Sequence, residues 1–105
     1  MSLENKMIFA KEFKRSTNGK VETFHIFNKA IVNSIDDFFL PNGYQLMTIY
    51  MEDGQQYTGK YQEEVFDLVS DLIGLEMSIV LWKNGNKYHV AYLSDVWKKL
   101  NTVLA

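Results

Sequence analysis

His25 and His89 are the side chains best suited to chemistry in this 105-residue chain. Both stand in strand-like runs. Alternation groups His25 with Val21, Thr23 and Phe27, and His89 with Lys87, Ala91 and Leu93. A metal centre needs several His, Cys or carboxylate ligands close together. No such cluster is visible, and the absence of cysteine removes thiolate ligands, disulfides and thiol catalysis. The expectation is a structural or surface role for each histidine, with no metal and no cofactor.

The acid pairs Asp36-Asp37 and Glu63-Glu64 do not make an acid–base site, because adjacent residues point to different sides of a helix. Acids at a helix start are explained by the helix dipole alone. Ser70-Asp71 and Ser94-Asp95 have no histidine nearby in sequence, and the glycines at 19, 43, 54, 59, 74 and 85 are too scattered for a phosphate loop. The reading is of a protein that is not an enzyme.

The tyrosines offer a different chemistry. Tyr57 and Tyr61 share one face of a strand across Gly59, and Tyr88 and Tyr92 share one face of another across Val90. Exposed rings of this kind stack on unpaired bases, and Lys60, Lys83 and Lys87 stand near enough to hold phosphates. The competing explanation is that the rings are packed across strands. Charge is segregated: six Lys/Arg face three acids in 1–35, one faces nine in 36–76, and four face one in 77–105. A uniformly basic nucleic-acid footprint is therefore absent.

Three Asx-Gly pairs position these residues. Asn18-Gly19, Asp53-Gly54 and Asn84-Gly85 each separate two runs rich in β-branched and aromatic residues, the sign of a hairpin. A helix is expected after each. The first starts at Ser34-Ile35-Asp36-Asp37 and stops before Pro41. The second runs from Glu63 to Ile73 on a stripe of Val65, Phe66, Val69, Leu72 and Ile73. The third is capped by Ser94, with Val96, Trp97, Leu100, Val103 and Leu104 inside. The expected fold is a single α+β domain over 1–105: three hairpins, each followed by a short helix, forming a strongly curved sheet or small barrel. A two-layer α+β sandwich is the competitor.

The chain is long enough to bury about two thirds of its unfolded surface without a metal or disulfide. No apolar run reaches the ~18–20 residues of a membrane span, and the N-terminus lacks an apolar signal core. The expected location is the cytoplasm, with no membrane partner. Met1-Ser2-Leu3 is given no weight in this expectation.

The stretch "MTIYMEDGQQYTGKY" resembles the first motif of the Sm-like (Hfq-type) family. Met47, Ile49 and Met51 match its alternation, Asp53-Gly54 its turn, and Tyr57, Gly59 and Tyr61 its bent strand. "DDFFL" looks like the end of the helix that precedes the barrel. The resemblance spans roughly residues 34–97 and implies a small RNA-binding barrel; a PUA-like pseudo-barrel fits the same elements. Phe66-Asp67 is displaced from the family pattern, the second family motif is not visible in "HVAYLSDV", and the N-terminal hairpin is an addition. No RNA-contact residue is carried over from the family.

The leading expectation is a small bacterial or mobile-element regulator that binds single-stranded RNA on a barrel surface. Tyr57, Lys60, Tyr61, Lys83, Lys87, Tyr88 and Tyr92 are its candidate contacts. The rival is a protein-interaction module or homo-oligomer acting through helix 63–73 or an unpaired strand edge.

Overall fold

Two consecutive residues with positive φ, Asn18 (51°) and Gly19 (77°), turn the chain back on itself near its start. They make the two-residue turn whose twist matches its flanking strands, β1 (Ile8–Thr17) and β2 (Lys20–Phe39). The structure is a computed structural model that describes residues 7–102. Met1-Ser2-Leu3 and the expected inner residues Val103 and Leu104 lie outside the described residues.

β2 organises the rest of the molecule. Its first half pairs with β1 on one edge and with β5 (Glu76–Asn84) on the other, and its second half pairs with β3 (Gln45–Met51). A 20-residue strand cannot stay straight and serve both groups. Register shifts between Phe27 and Ala30, and between Val32 and Ser34, supply the bends, and Lys29 adopts a φ of 56° at the first.

The chain then runs through β4 (Gln56–Lys60), α1 (Glu63–Asp71), β5, β6 (Lys87–Val90) and α2 (Ser94–Asn101). The sheet order is β4-β3-β2-β5-β6, with β1 also on β2. All pairings are antiparallel.

The expected fold is corrected on two counts. The described residues hold six strands and two helices, not three, because residues 34–39 continue β2. Ser34 and the two aspartates suit a helix start, but a helix so short forms few hydrogen bonds for its nucleation cost. The ladder to β3 satisfies the same backbone groups and sets Ile35 opposite the fully buried Ile49. Pro41-Asn42-Gly43 is the tip of that hairpin: Leu40 N–H donates to Tyr44 O (2.8 Å), and Gly43 has a φ of 92°.

The sheet is also open and not a closed barrel. Its outer strands β4 and β6 come side by side, yet no ladder joins them among the described residues. A Cβ added to Gly59 would lie 2.3 Å from Val90 O, so the two backbones touch there. Beyond Val90 the next carbonyl, Ala91 O, is taken by side chains: Gln62 Nε2 (3.0 Å) and Trp97 Nε1 (3.1 Å). Those bonds hold the segment after Val90, where β6 ends, against Gln62 and α2.

The core runs through both layers. Met47, Ile49, Val65, Val69, Ile79, Val80, Leu81 and Trp97 have no exposed surface. Ile79, Val80 and Leu81 are consecutive, so β5 is covered on both faces. Ser94 is the first residue of α2 and not its cap: Leu93 holds the cap position, and no side chain bonds the helix start. α1 ends at Asp71, before the expected Ile73.

Candidate functional site

Ladder register decides which side chains become neighbours, since residues directly opposite each other project from the same face. Phe13 pairs with Phe24, Phe24 with Trp82, and Trp82 with His89. Four rings therefore form one row across β1, β2, β5 and β6. Phe13 stacks on Phe24 at 5.3 Å and 23°, and Trp82 lies over His89 at 5.4 Å and 39°. Phe24 is buried, whereas Trp82 and His89 are half-buried.

At the Trp82–His89 end the row opens into a groove of about 260 Å³, bordered by Glu22, Phe24, Lys60 and Tyr92. Gly59 and Val90, where β4 meets β6, complete its wall. Tyr92 is 58% exposed, and Lys60 Nζ sits 4.7 Å from its ring centre, a cation–π contact. The groove thus combines partly exposed rings, one ammonium and one carboxylate.

The opposite face carries the other histidine in a different condition. His25 pairs with Glu12 on β1 and with Leu81 on β5. Its Nδ1 lies 2.8 Å from Tyr88 Oη, and its Nε2 lies 2.8 Å from Glu12 Oε1. One neutral tautomer satisfies both: Nε2–H donates to Glu12, and Nδ1 accepts from the phenol. Phe9 meets the imidazole edge-on at 5.0 Å, and Phe27 and Tyr57 meet Tyr88 edge-on at 5.7 and 6.3 Å. The hydrogen bond from His25 and the nearby Lys14 hold the Glu12 carboxyl below its ordinary pKa. Burial pushes the Tyr57 phenol up, assisted by Asp53 and Tyr88.

Beside this network lies an open cleft of about 720 Å³, bordered by Phe27, Gln55, Tyr57, Asn86, Lys87 and Tyr88. It is the larger of the two spaces, but its rings already spend their edges on one another. We place the site in the smaller groove, where the half-buried Trp82 and His89 lie beside the exposed Tyr92 and the Lys60 ammonium.

The seven candidate contacts from the sequence do not form one surface. Tyr57, Tyr88 and Lys87 meet at the large cleft, while Lys60 and Tyr92 meet at the groove. Tyr61 packs on Phe66 of α1 at 5.6 Å, and Lys83 Nζ donates to Gly85 O at 3.1 Å. Tyr88 and Tyr92 border different spaces, and β6 stops at Val90, before Tyr92. The Tyr61 N–H still bonds Gln45 O at 3.1 Å, one step beyond the end of β4.

The ring row was not legible along any one strand. Its nearest signal was the β5–β6 turn, which sits at Gly85-Asn86 and pairs Trp82 with His89. Gly85 has the positive φ (63°) that this turn requires at its first position. Reading the turn one residue early, at Asn84-Gly85, moves the register by two and sets His89 opposite Val80.

Among the described residues no group of three or more His, Asp or Glu side chains is placed to hold a metal ion. No helix among them is long and apolar enough to cross a membrane. Compared with known proteins, the chain matches no family model, no curated protein and no solved structure.

Proposed function

We propose that the protein is a non-enzymatic regulator that binds unpaired RNA, with the Trp82–His89–Tyr92 groove as its contact surface. The observation that carries this reading is the set of partly exposed rings on the sheet surface with the Lys60 ammonium over one of them, Tyr92. Unpaired bases stack on such rings whatever their sequence, and an ammonium beside them meets the phosphate. The open sheet is no obstacle, because stacking needs a ring face and not a closed barrel. The cysteine-free composition suits the cytoplasm, where such a regulator would act.

Titrating a labelled pool of single-stranded RNA and reading fluorescence anisotropy at low and moderate salt tests the reading. Saturable binding that weakens with salt is expected, and Trp82→Ala should lose about 1–3 kcal/mol of affinity with the fold intact. Unchanged affinity in a folded Trp82→Ala protein would move the site elsewhere; no binding at either salt would remove it.

A second reading has its own support at the far end of the β2–β3 hairpin. Phe39 and Tyr44 there are 67% and 63% exposed, an apolar tip of the kind that docks on a protein partner. It lies on a different strand pair from the ring row, and neither surface needs the other.

A further inference from the structure

The groove contains one group that a merely sequence-tolerant stacking surface does not need. Glu22 borders it on the same wall as Phe24, and among the described residues its carboxylate makes no hydrogen bond or ion pair. Other acids nearby are engaged: Glu12 by His25, Glu64 by Lys98 and Asp95 by Arg15. A half-buried, unengaged carboxylate beside these rings repels phosphate but can accept from a donor on a base edge.

We propose that the groove selects guanine, with Glu22 accepting from the base edge while Trp82, His89 or Tyr92 stacks on its face and Lys60 meets the adjoining phosphate. This rests on the reading of the groove as an RNA site. A carboxylate has two acceptor oxygens and no donor. Guanine presents two neighbouring N–H donors, at N1 and N2, that match those oxygens as a pair. Adenine and cytosine each offer an amino donor beside a ring-nitrogen lone pair, which the carboxylate repels. Uracil has a single N–H between two carbonyl oxygens and is the worst fit. The volume, about 260 Å³, lies just below the range of pockets for drug-sized ligands and suits a single base.

The experiment compares four labelled pentamers, UUGUU, UUAUU, UUCUU and UUUUU, by anisotropy against the wild-type protein and Glu22→Gln. The wild type should bind the guanine pentamer about tenfold more tightly than the all-uridine one, the size of one good paired contact. Glu22→Gln replaces one acceptor by a donor and should bring the four within about threefold of each other. Equal wild-type affinities would overturn the selection and leave RNA binding standing. A guanine preference that survives in Glu22→Gln would take the role from Glu22. Failure of the wild type to bind any pentamer would overturn both the selection and the RNA reading beneath it.

Discussion

The two faces of the β1–β2–β5–β6 sheet each hold a histidine among aromatic rings, yet they differ in what is left over. On one, His25 is 8% exposed and both its nitrogens are engaged, one by Tyr88 and one by Glu12. Its neighbours meet edge to face and use each other's edges. On the other, His89 lies half-exposed against Trp82, beside a carboxylate and an ammonium not bonded to each other. Residue types alone do not separate the two. A satisfied polar network gives a sheet rigidity and specificity, while partly exposed rings can still gain from a ligand. The histidine that looks most like chemistry, with its relay of hydrogen bonds, is the one we assign to structure.

Gly59 is the position where both faces fail together. Gly59→Ala drives a Cβ into the Val90 backbone, where no flexible side chain can give way, so β4 must move off β6. A cost of about 1–3 kcal/mol or more is expected, read as a fall in the denaturation midpoint. RNA affinity should fall with it, since the groove wall contains both residues. A variant as stable as wild type would mean that the seam is looser than its geometry.

His25→Leu breaks one face alone. It leaves the Tyr88 hydroxyl and the Glu12 carboxylate without their partner, at about 1–2 kcal/mol, because Glu12 can be rehydrated. His89→Leu should cost less than about 1 kcal/mol, and it is the one expected to lower RNA affinity. Denaturation and anisotropy on both variants separate the faces; the reverse pattern would exchange their roles.

The smallest effect is on acid stability. The folded pKa of Glu12 is depressed below its unfolded value, chiefly by the His25 hydrogen bond and then by Lys14. Its stabilisation is therefore complete above the ordinary carboxylate range and is lost as pH falls through the folded value. Glu12→Gln should be less stable than wild type near neutral pH, with the gap narrowing as pH falls below the ordinary carboxylate range. Urea midpoints across that range check the sign. The gap should be slight and shrink further in salt, because the carboxylate is exposed.

Much of the local architecture was legible from residue types. Asn18-Gly19 and Asp53-Gly54 mark real turns because few residues other than Asx and Gly adopt positive φ cheaply. The stripe containing Val65 and Val69 marks α1, and both are fully buried. Residues 34–39 misled because Ser34, Asp36 and Asp37 are as suitable at a helix start as on an exposed strand. What decided them was a partner: Gln45–Tyr50 is there to pair with, and Gln45 Nε2 reaches Asp37 at 2.7 Å. The Tyr88–Tyr92 row misled differently, since alternation holds only to the end of a strand, and strand ends are set by neighbours.

By itself the sequence determined the Asn18-Gly19 and Asp53-Gly54 turns, the Val65–Val69 stripe of α1 and the alternation inside a strand. These are properties of neighbouring backbone torsions, readable from a short window. The row Phe13–Phe24–Trp82–His89 draws on positions as far apart as 13 and 89, and no window contains it. Only the tertiary structure decided it, because cross-strand neighbours follow from register, and register depends on bulges and turn placement summed over the whole sheet. For the same reason His25 became a satisfied structural group and His89 part of an open groove.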